Sequence, residues 1–176
     1  MATAPIRVRR ATNDDAQGIR MVATTTWSAT YKTIWSPENI SQFLGRAYSL
    51  AQIRARISHA TMGTFVAERI MPPHLGDIVG YAFVGLRDDA PDSDAGELYA
   101  LYTLPTVQHQ GVGYALWQAA VPWLSEHDKR HMWVGVLEAN QRARAFYARQ
   151  GAVLDHLGDV TIGTQTVPEA WYRLDL

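Results

Sequence analysis

At residue 64 the spacing of apolar side chains changes from three and four to two, and that change decides which folds are open to the chain. Before it, Ile19, Val22, Ala23, Thr26, Trp27 and Thr30 recur at helical spacing, which predicts a helix with one apolar face running to about Tyr31. Thr12 followed by Asp15 resembles a capping box at its start, and the alternating residues 6–9 read as a first strand. Pro37 and Ser49 restart the chain after turn-like residues, so a short helix is expected through Leu44 and another over 50–59. After residue 64, the runs 64–69 and 78–87 alternate on either side of MPPHLGD, and DDAPDSDAG leads into a third alternating run, 97–104. Three helical pieces therefore precede an antiparallel meander.

The meander ends in QHQGVGYALW, residues 108–117, where Gly111 and Gly113 stand one residue apart ahead of a helix expected over 111–126. A strand over 131–137, a helix over 140–150 stopped by Gly151, and strands over 154–162 and 167–174 complete the reading. Pro122 deletes the bond back to Gln118 and is expected to kink or shorten the first of these helices.

Why two glycines? Glycine costs backbone entropy and caps a helix less well than a side-chain oxygen, so something must approach that backbone closely. A strand running through a glycine loop into a helix offers consecutive N–H groups and a positive dipole end, which suits a phosphate. A P-loop needs a lysine and a hydroxyl after its last glycine, where Tyr114 and Ala115 stand. A dinucleotide fingerprint needs a small residue at 116 and an acid near 133, where Leu116 and Trp133 stand. What remains is QxxGxG, formed by Gln108, Gly111 and Gly113.

Composition narrows the partners. With 176 residues, 47% of them hydrophobic, the chain reads as one domain, residues 1–176, with a real core. Lysine and arginine number 16 against 17 acids, without a polybasic run, so neither nucleic acid nor an anionic membrane is expected as a partner. No cysteine occurs, which removes disulfides, thiolate metal sites and a cysteine nucleophile. The histidines show no ligand spacing, so no metal is expected. MATAPIRVRR lacks an apolar core and no run is long enough to span a membrane, which reads as a cytoplasmic protein.

With the strand ELYALYT, the QxxGxG loop, Asn140 and the run from Phe146 to Ala152 in hand, the sequence resembles the GNAT superfamily of acyl-coenzyme A dependent N-acyltransferases. The likeness covers roughly residues 64–152, and Trp27 and Tyr31 resemble the WxxxY segment of bacterial small-amine acetyltransferases. It implies an α+β fold, GNAT-like, with a central mixed and strongly twisted sheet of about seven strands and four to five flanking helices. It implies acetyl-CoA as cosubstrate and a primary amine as acceptor, either a small amine, a polyamine or a terminal amino group, with direct attack in a ternary complex. A homodimer is a possible assembly. A catalytically silent acyl-CoA-binding sensor or scaffold is the alternative.

The same resemblance assigns residues. Backbone groups near Leu101, Tyr102 and Thr103 would hold the pantetheine arm between strands 97–104 and 131–137, and an N–H near Leu101 would polarise the thioester carbonyl. Gln108, His109, Gln110, Gly111, Val112, Gly113 and Tyr114 would bind the pyrophosphate. Asn140 would meet the pantetheine amides or the nearby backbone, Tyr147 would lie against the cofactor and protonate the leaving thiolate, and Trp27 and Tyr31 would line the acceptor pocket. An alkyl amine of pKa ~10.4 is only about 0.04% neutral at pH 7, so a base is needed, and Glu97 is the candidate, acting through water. Alternation would give it one face with Tyr99, Leu101 and Thr103. Each residue also has a plain structural reading: Glu97 as a strand-end charge, Tyr147 as a core aromatic, Asn140 as an N-cap, Trp27 and Tyr31 as core. Asp88, Asp89, Asp92 and Asp94 precede Glu97, either as a solvated loop or as an attractor for a cationic acceptor such as a polyamine.

Overall fold

In a computed structural model, which describes residues 5–87 and 93–176, the change of period is a change of layer. Strand β1 (Ile6–Arg10) is followed by a 3-10 turn and by helices α1 (Ala16–Thr30), α2 (Pro37–Ala47) and α3 (Leu50–Ser58). Then come β2 (Met62–Arg69), β3 (Ile78–Leu86), β4 (Ala95–Thr103), α4 (Val112–Ser125), β5 (His131–Leu137), α5 (Gln141–Arg149), β6 (Val153–Ile162) and β7 (Gln165–Asp175). The seven strands form one mixed sheet in the order β1-β2-β3-β4-β5-β7-β6, in which only β4 and β5 are parallel.

Local chemistry sets the ends of the helices. The Thr12 N–H donates to the Asp15 carboxylate at 2.7 Å, while Ser36 and Ser49 hydroxyls accept from the N–H groups of Asn39 and Gln52 and start α2 and α3. Pro37 takes the first position of α2, where no N–H is missed. The expectation for Pro122 is corrected in part: α4 carries it inside and continues to Ser125. Lys129 and Glu126 close the end, with the Glu126 N–H bonded to the Pro122 carbonyl at 2.9 Å.

The sheet is covered on both faces. On one, α4 lays Val112, Leu116, Trp117, Ala120 and Leu124 over Leu98, Met132, Val134 and Ala170. On the other, the predicted stripe of α1 buries Ile19, Val22, Ala23 and Trp27 against Val66, Tyr81, Phe83 and Ala100. A cluster of charge pins the start of α1 to the sheet: the Arg9 guanidinium grips Asp15 at 2.7 and 2.8 Å and Glu68 at 2.6 Å. No helix among the described residues is long and apolar enough to cross a membrane.

Candidate active site

Strands β4 and β5 pair over only three residues, Ala95 with His131, Gly96 with Met132 and Glu97 with Trp133. Beyond them β4 stays on β3 as far as Thr103 and β5 stays on β7 as far as Leu137, so the two strands part. The facing edges, 98–103 and 134–137, have no strand opposite them. Main-chain groups are costly to leave unpaired, which makes the gap a slot for an extended ligand carrying amides of its own.

A bulge shapes one wall of the slot. Ala100 opposes Phe83 and Leu98 opposes Val84, which leaves Tyr99 as an extra residue. Strict alternation would group Glu97 with Tyr99, Leu101 and Thr103; the bulge overturns the second half of that expectation. Glu97 and Tyr99 stay on the α1 side with Ala100 and Tyr102, as Gly85 attests: it pairs with Glu97, and a Cβ there would strike the Tyr99 ring at 2.8 Å. Leu101 packs with the α4 core instead, and Thr103 pairs with Gly80, whose added Cβ would meet Leu116 of α4.

At the open end of the slot the chain turns through Pro105–Val107 into the glycine loop. His109 and Gly111 both adopt left-handed backbone, with φ of 62° and 81°. No described group accepts from the backbone N–H groups of His109, Gln110, Gly111, Val112, Gly113 or Tyr114; the first α4 amide with a partner is that of Ala115, bonded to the Gly111 carbonyl at 2.9 Å. Six successive donors are thus left for something else. Gly111 is explained by its φ, but Gly113 is not explained by packing, since a Cβ there would meet only Leu101, at an ordinary 3.6 Å. Gln108 turns its amide back to the Thr103 carbonyl at 3.1 Å and fastens the loop to the end of β4.

Phenols gather along the slot. The Tyr31 hydroxyl lies 3.2 Å from that of Tyr102 and also hydrogen-bonds with the Asn140 side chain. Asn140 caps α5, its Oδ1 accepting from the Ala143 N–H at 3.1 Å, as its plain structural reading expects. Tyr147 is buried against Trp117 and Phe146, and burial pushes its phenol well up, with Tyr31 adding to the shift. Trp27 is buried edge-on to Tyr31 and stacked on Phe43 at 4.4 Å, so it backs the wall rather than facing solvent.

Glu97 stands where the strands part. Its side chain keeps 16% of its exposure, and Arg87 lies 3.7 Å away. Burial raises its carboxyl; Arg87 opposes the rise and Glu169 reinforces it. Glu169 itself was not singled out in the sequence. It sits on β7 opposite Leu137, is raised by burial against the pull of the Trp171 indole, and crosses Gly135, where a Cβ would meet its Oε1 at 2.8 Å. The only signal was an acid in the alternating run VPEAWYRL, and which face that acid takes depends on pairing. Asp88, Asp89 and Asp92 lie outside the described residues, while Asp94 is exposed, 3.7 Å from Arg130. No group of three histidine or acidic side chains among the described residues is placed to hold a metal.

Known proteins carry this architecture. The Acetyltransferase (GNAT) family matches residues 25–152. An uncharacterized N-acetyltransferase of Mycobacterium tuberculosis is 31% identical over 137 residues, 78% of this chain and 82% of that one. The PaiA N-acetyltransferase of Thermoplasma acidophilum, solved with coenzyme A, superposes with a TM-score of 0.80 at 19% identity over 98% of this chain and 99% of that one. The YncA protein of Salmonella typhimurium, solved with acetyl-CoA, gives a TM-score of 0.73 at 17% identity, covering 97% of this chain and 94% of that one.

Proposed function

The chain belongs to the GNAT acetyltransferase family, and from that premise we propose that it moves an acetyl group from acetyl-CoA to a primary amine by direct attack in a ternary complex. One observation carries the reading: two parallel strands part into a slot that ends at six unpaired N–H groups. The open edge of β4 can take the pantetheine arm as an added strand, with backbone near Leu101, Tyr102 and Thr103 meeting its amides. The amides of residues 109–114 and the dipole end of α4 suit a pyrophosphate, and the open space before Gly113 lets it come close. Asn140 and Tyr31 keep polar atoms along the same slot.

Acetyl-CoA supplies an activated thioester; the chain supplies position and protons. Glu97, with its carboxyl raised, is a stronger base than an exposed glutamate and takes the ammonium proton through water. Tyr147 stays protonated over the working pH range because burial raises its phenol, and it can hand that proton to the departing thiolate. Without cysteine no thioester-linked enzyme can form, which fits transfer in one step.

The test is release of free thiol when the protein meets acetyl-CoA and a panel of primary amines. Turnover that requires both substrates and vanishes in Glu97→Gln is expected. Tight coenzyme A binding with no turnover on any amine would instead mark a silent acyl-CoA sensor.

A further inference from the structure

The sheet face in front of the slot carries a strip of rings and one acid that cofactor binding does not use. Register places it without ambiguity. Glu97 pairs with Trp133 and Trp133 with Arg173; Gly135 pairs with Trp171, and Trp171 with His156; Leu137 pairs with Glu169, and Glu169 with Gly158. Paired residues share a face, so Glu97, Trp133, Trp171, His156 and Glu169 stand side by side on the side of α1. The rings are contiguous, with Trp133 and His156 centred 6.0 Å apart and His156 parallel to Trp171 at 6.1 Å.

Gly135 makes room for the strip. A Cβ on Gly135 would meet Glu169 at 2.8 Å and Trp171 at 3.2 Å, and one on Gly158 would touch the Trp171 indole at 3.6 Å. Bare backbone at Gly135 leaves room for the carboxylate and the indole to lie across β5, next to the open slot, while the contact over Gly158 is an ordinary one. The charges are unequal. Glu97 is half answered by Arg87 at 3.7 Å, Asp155 meets the His156 ring at 2.7 Å, and Arg173 turns to Asp175 at 3.1 Å, so among the described residues Glu169 is the acid of the strip left to hold an incoming positive group. With Glu97 near Arg87, Glu169 beside three rings suits a single ammonium on a flat body better than a polycation.

We infer that this strip is the acceptor's binding face and that it takes an arylalkylamine, Glu169 holding the ammonium and the rings of Trp171, His156 and Trp133 holding the aromatic body. The inference rests on the amine-acetylation reading and specifies its acceptor. It places the amine next to Glu97, across the slot mouth from the bulged Tyr99.

The experiment compares phenethylamine, hexylamine and spermidine at saturating acetyl-CoA in the parent, Glu169→Gln, Trp171→Leu and Trp171→Phe, with calorimetric binding of coenzyme A and of phenethylamine to each protein. Phenethylamine is expected to exceed hexylamine in kcat/KM by about 10-fold. Glu169→Gln should raise KM for both by about 10-fold at unchanged coenzyme A affinity. Trp171→Leu should erase the preference for the ring and Trp171→Phe should keep it. Equal or better use of hexylamine or spermidine, or an unchanged KM in Glu169→Gln, overturns the inference while leaving amine acetylation standing. Phenethylamine that binds beside coenzyme A while no amine is acetylated supports the strip and removes the proposed reaction.

Discussion

At Glu97 two demands pull against each other. To serve as the proposed base it must stand in the half-buried mouth of the slot and lose water, and burial raises its carboxyl above the ordinary range. The raised value means that the folded state favours the protonated form: this contribution to stability is full below the unfolded pKa and is lost as pH rises through the folded one. Glu97→Gln is therefore expected to melt higher than the parent at pH 7 while losing activity. In the parent, kcat/KM should fall as pH drops through a carboxyl titrating above the usual glutamate range; an acid limb at an ordinary glutamate value would contradict the assignment. Gly113 argues differently. A Cβ there meets only Leu101, at 3.6 Å, so with valine the fold should survive while coenzyme A affinity drops about 100-fold from lost hydrogen bonds to the phosphates. Calorimetry with Gly113→Val checks this. For Tyr147→Phe, kcat should fall ~10²- to 10⁴-fold with acetyl-CoA affinity nearly unchanged. Because burial pushes the phenol far up, no alkaline limb from Tyr147 is expected in the working range. Intact single-turnover transfer in the phenylalanine variant would make Tyr147 a packing residue.

At the scale of elements, the join between β1, β2 and the start of α1 depends on charge. Hydrogen bonds from Arg9 and then Arg7 hold Glu68 below the usual carboxylate range against desolvation; burial pushes Asp15 up, but the bonds from Arg9 and Thr12 outweigh it and it too is lowered. Depressed folded values mean stability that is present above the unfolded pKa and lost as pH falls through the folded one, so the domain should loosen at acid pH from this corner. Arg9→Met leaves Asp15 without its guanidinium and Glu68 with Arg7 alone. With Arg9 partly exposed, a cost of about 2–3 kcal/mol is expected at pH 7, shrinking as the carboxylates protonate. Urea titrations of the two proteins at pH 7 and pH 3 measure it; an equal gap at both values would show that charge is not the cause.

For the whole molecule, the two helical layers cover the sheet on both faces but leave its centre split between β4 and β5. A ligand that fills the split binds only the folded chain, so coenzyme A at 100 times its dissociation constant should add about 2.7 kcal/mol to stability. At the same concentration the gain should shrink to about 0.4 kcal/mol in Gly113→Val, and thermal melts with and without ligand read it directly. Much of this architecture is legible in residue order because it rests on local rules. The i, i+3, i+4 stripe of α1, the serine caps of α2 and α3, the alternation of β2 and β3, and a glycine pair between strand and helix all lie within a few residues of what they cause. The family resemblance added the parallel pairing and the slot. Other features were decided only when distant segments met. Pro122 stays inside α4 because a buried apolar face holds the turn it weakens. Leu101 and Thr103 leave the face of Glu97 because β3 imposes a bulge at Tyr99, and strand register is a property of two strands rather than one. Glu169 reaches the site because β7 inserts between β5 and β6 and because Gly135, 34 residues earlier in the chain, leaves room for it. Spacing within a segment sets how that segment folds; which side chains face one another across a cleft is set by pairing between segments, and that energy exists only in the assembled sheet.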